Sequence, residues 1–570
     1  MLQDGNKRKP PFEGREFDPG SPSKVLQGEK MLPITQIADS MGLDPETVLP
    51  YGKHKAKISL DAIRAGGPKG KMILVTAVTP TRAGEGKTTV TVGLTQALGR
   101  LGHRVAATLR EPSLGPIFGI KGGGTGGSAS RVVPEDEINI HFTGDAHAVS
   151  SAHNLLAALT DNVSQRGKIE GFLPDGITWR RVVDIEERAL RSIVTGLGGN
   201  SNAPMRETGF DIVTASEIMA ILALSSDLHD LRARLSRVVV GSTRDGRPVT
   251  AADVDAVGSM MSLLRYAIQP NLVQTLEGQP VVIHTGPFGN IAHGCSSVVG
   301  DRLALGYADY VVTEAGFGAD LGFEKYIDIK ARTNGLEPSA VVMVATVKAM
   351  RSHGGVKSRE LDTPNEGAVE KGCINLEHLV GVVRSYGLPV VVSINEFPTD
   401  TPGEIAIVKR VAEAAGAAVA VPTRIYAEGG AGGIDLAEAV VEAAKGGRPE
   451  MTYLFPEDAT VEEKVLALAQ KVYNADSVNW APTARRRLRG FHEHGWGRLP
   501  VCIAKTHLSI SHIQSRVGRP SGYTFRISDV RASVGAGFIY PIAGTMMTMP
   551  GLPGTPRSLD VDDHGSIIGL

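Results

Sequence analysis

The chain is poor in sulfur and has almost no net charge. Its three cysteines, Cys295, Cys373 and Cys502, stand far apart in 570 residues, and no C-x-x-C pair occurs. That excludes a disulfide framework and a thiolate zinc site, and it fits a reducing cytoplasm. Lysine and arginine number 60 against 61 aspartate and glutamate, a formal charge of −1 at pH 7. No basic excess points to a nucleic acid or an acidic membrane as partner. No apolar run is long enough to cross a bilayer as a helix. The opening stretch, MLQDGNKRKPPFEGREFDPGSPSK, lacks the apolar core of a signal peptide. Residues 1–31 read instead as a flexible tail rich in proline, glycine and charge. No Gly-x-Ser-x-Gly segment supports a serine hydrolase, and no internal repeat or low-complexity tract occurs.

What the chain does have is a balanced globular composition, 42% hydrophobic and 21% charged, with 68 glycines. Its length predicts two to four domains. One arrangement recurs: a short β-branched run gives way to a segment rich in Gly, Asn or Asp. MILVTAV (72–78), RVAATL (104–109), PVVIH (280–284), DYVVT (309–313), VVMVA (341–345) and PVVVSIN (389–395) all follow it. Runs of this kind between helical stretches predict parallel strands of an α/β sheet. Ligands bind beyond the carboxyl ends of such strands, so the polar segments are expected to converge. Away from the motifs, Ile434–Lys445 is the longest helical pattern. Breaks are expected near Gly355–Gly367 and Asn474–Pro482, and the Met-, Pro- and Gly-rich end of the chain is expected to be irregular.

The first of these runs leads into TPTRAGEGKTT (79–89), and a helical pattern follows that stops at Gly102. Strand, glycine loop and helix together make a phosphate cradle. Backbone N–H groups of the loop and the helix N-terminus both favour anionic oxygens. Thr81, Arg82, Ala83, Gly84, Glu85, Gly86, Lys87 and Thr88 are the expected ATP-binding residues. Lys87 supplies a cation for the β- and γ-phosphates, and Thr88 is placed to hold Mg²⁺ through its hydroxyl. The pattern G-x-x-x-x-G-K-[ST] is incomplete, because Thr81 stands where its first glycine belongs.

If the helix after the loop crosses to a parallel neighbour, the end of the next strand comes to lie beside the loop. Arg110 could there stabilise a transferred phosphoryl group, with Glu111 orienting Arg110 or Mg²⁺. The alternative is a solvated pair of little consequence. KGGGTGG (121–127) could close over a ligand or serve as plain linker. His141, Asp145 and His147 have no closed zinc spacing and are expected to line a pocket. His284 and His293 are expected to be structural. These features leave three readings open. They are a ligase forming an acyl phosphate, a related carboxylate kinase or ligase with another acceptor, and a nucleotide-switch ATPase acting on proteins.

The same segments resemble the formate–tetrahydrofolate ligase family. The carrying stretches are 79–89, REPSLGPIFGIKGGGTGG (110–127), EINIHFTGDAHAVSSAHNLLAALTDN (137–162) and HTGPFGNIAHGC (284–295). They continue with YVVTEAGFGADLGFEKY (310–326), SINEFPTDT (393–401), DVRASVGAGFIYP (529–541) and MTMPGLP (547–553). The resemblance runs from about residue 32 to the end.

It implies a P-loop NTPase-like α/β fold with a mostly parallel sheet and helices on both faces, plus smaller α/β C-terminal domains. The expected division is 32–360 for nucleotide, 361–475 for folate and 476–570 as a C-terminal domain. The implied reaction joins formate to tetrahydrofolate, with or without a polyglutamate tail, using ATP with Mg²⁺ and passing through formyl phosphate. The implied enzyme is a cytoplasmic homotetramer stimulated by potassium or ammonium. Lys87 and Arg110 are the implied catalytic residues, Arg110 matching the family's formyl-phosphate arginine, and Glu111 is expected to join them from its place beside Arg110. Phe397 and Tyr426 match the pair that sandwiches the pterin. Two departures stand out: Tyr426 replaces a frequent tryptophan, and Arg82 a frequent proline.

Overall fold

The computed structural model describes residues 31–63, 69–82, 84–119, 124–199, 201–555, 557–565 and 567–569. Residues 1–30 of the expected tail, loop residue Ala83 and residues 121–123 of the glycine cluster lie outside them.

The β-branched runs pair into one large sheet. In chain order its main strands are β1 (Val48–Pro50), β2 (Ala56–Ile58), β3 (Lys71–Ala77), β4 (Val105–Leu109), β5 (Asn271–Thr275), β6 (Pro280–Ile283), β7 (Tyr310–Glu314), β8 (Ala340–Thr346), β9 (Val390–Asn395) and β10 (Val419–Thr423). Across the sheet they run β1-β2-β5-β6-β4-β7-β3-β8-β9-β10. From β6 to β10 every pairing is parallel. The remaining edge, β5-β2-β1, is antiparallel. All six runs picked out in the sequence are parallel strands. β10 and the antiparallel edge add to them.

The parallel strands read as continuous apolar runs because both faces are covered. On β3, Ile73 and Val75 pack against helix α1 (Lys87–Arg100) and helix α5 (Ile434–Ala443). Leu74, on the opposite face, shares a core with Val369, Leu376 and Val380 of helix α4 (Glu366–Ser385). Helix α3 (Val298–Tyr307) covers Met72 and Val311. Helix α2 (Asp145–Gln165) belongs to a separate, mainly helical core with Trp179, Ile221 and Met260. Beyond residue 475 come a parallel pair, Ser477–Trp480 with Thr524–Ile527, and a hairpin, Asp529–Ser533 with Phe538–Ile542. The final stretch holds only one two-residue strand pair, Asp560–Val561 with Ile567–Ile568, among its described residues.

Three expectations about local order need correction. The strand ending at Arg110 is not the immediate neighbour of the loop strand. β7 lies between β3 and β4, so Glu314 at its end enters the site. The 20-residue α4 is longer than the Ile434–Lys445 pattern and begins inside the expected break at Gly355–Gly367. Its apolar positions are mixed with Gly367, Gly372, Asn375 and Gly381, which weaken helical propensity, while burial of one face decides the outcome. The sheet also continues through β9 and β10, across the expected boundary at 360.

A candidate site for nucleotide and pterin

The loop follows β3 and is fixed from several sides. Thr79 is fully buried. Its N–H donates to Asn375 Oδ1 at 3.2 Å, and its hydroxyl donates to Asp320 Oδ1 at 3.2 Å. Gly84 and Gly86 both adopt φ of +77°, where a side chain is strained. A Cβ on Gly86 would also sit 3.0 Å from Asn395 Nδ2. That amide donates to the Glu85 carbonyl at 2.9 Å and thereby ties the end of β9 to the loop. In place of the pattern's first glycine, the Thr81 N–H donates to Glu85 Oε1 at 2.7 Å. Burial pushes the Glu85 carboxyl above its ordinary range, and Lys87 opposes that.

Lys87 opens α1, and the helix ends before Gly102, whose φ is +83°. Burial pulls the Lys87 ammonium down, while Glu314 and Glu85 hold it up and Arg110 opposes them. Thr88 Oγ1 donates to Glu314 Oε2 at 2.8 Å. Arg110 Nη2 stands 3.8 Å from Glu314 Oε1, and its buried Nε has no hydrogen-bond partner among the described residues. One carboxylate therefore serves the loop lysine, the loop threonine and the arginine. The polar EAGFG pattern after β7 was the signal for Glu314, but it gained meaning only from the strand order.

The other strand-end segments meet beneath Arg110 by backbone contact. Gly316 N donates to the Gly294 carbonyl at 3.0 Å. A Cβ on Gly294 would come 2.6 Å from Gly289 Cα, and one on Gly286 would come 2.2 Å from the Glu111 carbonyl. These contacts explain the glycines of TGPFGNIAHG and EAGFGADLG. Two non-glycine residues here, Thr285 and Phe317, also have positive φ, 57° and 61°. Phe317 stacks on His507 at 4.6 Å. Backbone strain of this kind gathers at ligand sites.

Glu111 turns elsewhere. Its N–H donates to the Thr285 carbonyl, while its carboxyl faces Asp145, Lys57 and Asp184. Burial, then the Asp145 carboxylate, holds it well above the usual range. Asp145 pairs with buried Lys57 at 2.8 Å, whereas His147 lies 3.4 Å from Ser151. His141, His147, Glu111 and Asp184 line one cavity of about 300 Å³. Among the described residues no group of three or more His, Cys, Asp or Glu side chains could hold a metal. His284 is bonded at both nitrogens, to Ser297 Oγ and the Ala267 carbonyl, and burial brings it down to about 4. Both nitrogens of buried His293 lack a partner among the described residues. Burial keeps that ring neutral, and Lys330 and Arg110 reinforce the effect.

Phe397 and Tyr426 follow adjacent strands, β9 and β10, whose last residues Asn395 and Thr423 are in register. Their rings are 38% and 59% exposed, so both have faces free to stack. Phe397 is held by its N–H bond to Asp400 Oδ2 at 2.9 Å and by the Lys348 ammonium, 4.9 Å from the ring centroid. Tyr426 leans on Gly127: a Cβ there would be 3.1 Å from the ring and 3.9 Å from Thr89 Oγ1 on α1. Of the described part of the glycine cluster, residues 124–127, Gly126 and Gly127 form a tight hairpin with Ser130 and Arg131. A cavity of about 670 Å³ opens on the loop's other side, between Thr81, Arg82, His353 and Leu508.

Comparison with known proteins agrees with this geometry. The family model described as formate–tetrahydrofolate ligase matches residues 21–570. The formate–tetrahydrofolate ligase of Desulforamulus reducens is 52% identical over 559 residues, 96% of this chain and 98% of that protein. Those of Roseiflexus castenholzii and Saccharopolyspora erythraea are 51% and 52% identical, over 96% of this chain and 99% and 98% of theirs. With a parallel sheet whose strand ends gather a phosphate loop, an arginine and two exposed rings, the chain belongs to the formate–tetrahydrofolate ligase family.

Proposed function

We propose that this protein joins formate to tetrahydrofolate at the expense of ATP, giving 10-formyltetrahydrofolate, ADP and phosphate through formyl phosphate. One observation carries the reading: at Gly127 the wall of the phosphate helix and the Tyr426 ring come within contact of one residue. Phosphoryl chemistry and a stacking platform thus share one cleft.

The loop from Thr81 to Thr88 grips the triphosphate, and the cavity beside Thr81 and Arg82 has room for the nucleoside. Mg²⁺ held by the Thr88 hydroxyl, with Glu314 next to it, would neutralise phosphate charge. A formate oxygen attacks the γ-phosphorus, the β–γ P–O bond breaks, and ADP leaves. Lys87 and Arg110 stand on either side of Glu314, where charge develops on the transferred group. The tetrahydrofolate N10 amine then attacks the formyl carbon, the C–O bond breaks, phosphate departs, and the nitrogen loses its proton. Formyl phosphate is an anhydride that water destroys, so both steps need one closed cleft. Glu111, whose carboxyl faces Lys57 and Asp145, stays in the proposal only as the residue whose backbone fixes the end of β4 beside Arg110, through its N–H bond to the Thr285 carbonyl.

Potassium or ammonium stimulation, a homotetramer, a polyglutamylated folate and a cytoplasmic setting belong to the same proposal. Three free, buried cysteines support a reducing compartment. No described helix is long and apolar enough to cross a membrane. The division into 32–360, 361–475 and 476–570 is proposed as a division of labour, the first two sharing one continuous sheet and the third carrying small sheets of its own.

The test is incubation with ATP, Mg²⁺ and formate, with hydroxylamine or tetrahydrofolate as acceptor. Formyl hydroxamate, together with a folate product that absorbs as 5,10-methenyltetrahydrofolate after acidification, is expected. Hydroxamate without the folate product would indicate a carboxylate kinase with another acceptor. ATP hydrolysis without either would indicate a nucleotide switch.

A further inference from the structure

Five cationic side chains surround a cavity of about 280 Å³ whose walls include none of the loop, Arg110, Glu314, Phe397 or Tyr426. Arg234 and Arg237 come from the end of the helix Leu228–Ser236. Arg332 follows the π-helical turn Tyr326–Ala331, Lys464 sits on the helix Val461–Lys471, and Arg498 is in the loop beyond the helix Pro482–Glu493. Asp328 and Glu457 are the carboxyl groups on the wall.

Arg234 has an ionic partner, Asp230, at 2.9 Å. Among the described residues no carboxylate lies within 4.0 Å of Arg237, Arg332, Lys464 or Arg498. Neutral groups hold these cations in place. Lys464 Nζ donates to the Arg498 carbonyl at 2.6 Å, Arg332 Nη1 donates to the Phe455 carbonyl at 3.0 Å, and the Arg332 guanidinium stacks on Tyr453 at 4.2 Å. Five cations against the two wall carboxyl groups Asp328 and Glu457 leave a positive excess, and an anion between them relieves the repulsion.

A second observation points to the same ligand. Asp328 is buried, and its Oδ1 lacks a partner while Oδ2 accepts from the Tyr386 hydroxyl at 2.8 Å. Burial pushes this carboxyl up to about 7, against the pull of Tyr386, Arg332 and Lys464, and Glu324 lies one turn before it. At and below neutrality a large share of this carboxyl is protonated and can donate a hydrogen bond. Guanidinium forks match phosphoryl oxygens, which also accept from a neutral carboxyl. Burial, then Arg332 and Arg498, brings Lys464 down to about 8, while Glu457 and Asp458 oppose the fall.

We propose that this cavity is a second anion site, separate from the ATP loop, which binds a small phosphoryl-bearing ligand of about diphosphate size. The test is calorimetric titration of the full-length Lys87→Ala protein with inorganic pyrophosphate, so that the loop does not compete. One site per chain is expected. Arg237→Ser with Arg498→Ser, both exposed positions, is expected to weaken it by at least about tenfold, the loss of charge-assisted hydrogen bonds, without changing the thermal midpoint. Citrate is expected to bind at least about tenfold more weakly than pyrophosphate, because the neutral carboxyl and the forks suit phosphoryl oxygens. The proposal is overturned if the Lys87→Ala protein binds no pyrophosphate, if the arginine substitutions leave binding unchanged, or if citrate binds as well.

Discussion

Thr88 donates its hydroxyl to Glu314 at 2.8 Å and so joins the first turn of the phosphate helix to the end of the strand between the loop and Arg110. The same carboxylate lies 3.8 Å from Arg110 and helps hold the charge on Lys87. Glu314→Gln keeps the shape and an acceptor for Thr88 but removes the charge. We expect kcat at saturating ATP to fall by about 10²–10³-fold, the range for losing one electrostatic stabiliser, and the Mg²⁺ needed for half-maximal rate to rise. Initial rates against Mg²⁺ concentration check both, and an unchanged kcat would remove Glu314 from the site.

Lys87→Ala removes the cation proposed to face the β- and γ-phosphates. Turnover should drop by about 2.7–4 kcal/mol in activation free energy. Single-turnover formyl phosphate formation, trapped as hydroxamate, separates this chemical step from folate binding. Normal turnover in this variant would contradict the loop assignment.

The parallel strands, the loop and its helix were legible because each depends on local pattern: β-branched runs, glycines, and a lysine at a helix start. Glu314 was not legible as a partner of Lys87, because its place depends on β7 entering the sheet between β3 and β4, and strand order is not written locally. Helix α4 was obscured for a related reason. Gly367, Gly372 and Gly381 lower its intrinsic propensity, and only the buried face built by Val369, Leu376 and Val383 makes it a helix. Phe397 and Tyr426 came from family resemblance alone. Nothing in the spacing of two aromatic residues 29 positions apart says that β9 and β10 are neighbours in register.

Buried acids make the fold sensitive to pH. Glu324 accepts from the Tyr473 hydroxyl at 3.0 Å, and burial pushes its carboxyl up to about 8, with Asp328 adding to the rise and Lys325 opposing it. Burial likewise raises Glu217 and Asp328 to about 7. Between the ordinary value of 4.5 and about 8, the folded state keeps a proton on Glu324 that the unfolded chain has released. The folded state binds more protons, so stability falls as pH rises through this window and levels off above it. Buried neutral histidines such as His284 tilt stability the other way below the ordinary histidine value of 6.5, so the Glu324 contribution is read above that value, as a fall in the thermal midpoint of the wild type relative to a Glu324→Gln variant as pH rises to about 8. Glu324→Gln keeps an acceptor for Tyr473 and needs no proton. It should flatten this slope and raise stability at pH 8 by a few kcal/mol, on the order of one per pKa unit removed. An unaltered slope in the variant across this window would contradict this assignment.

Tyr426, in the proposed folate pocket, stands where the resemblance leads one to expect a tryptophan. The residue is 59% exposed, and Gly127 approaches its ring. Aromatic stacking contributes about 0.5–1.5 kcal/mol beyond burial, or about 2–10-fold in affinity. Tyr426→Ala should raise KM for tetrahydrofolate by at least that factor and leave KM for ATP nearly unchanged, because the loop holding the phosphates does not depend on the ring. Tyr426→Trp should lower KM for tetrahydrofolate, since the larger ring covers more of a pterin. Steady-state kinetics with each substrate varied at saturation of the others separates the two effects. Equal changes in both KM values for the alanine variant would make Tyr426 a support for Gly127 and the hairpin beside α1, and the stacking role would then rest on Phe397 alone.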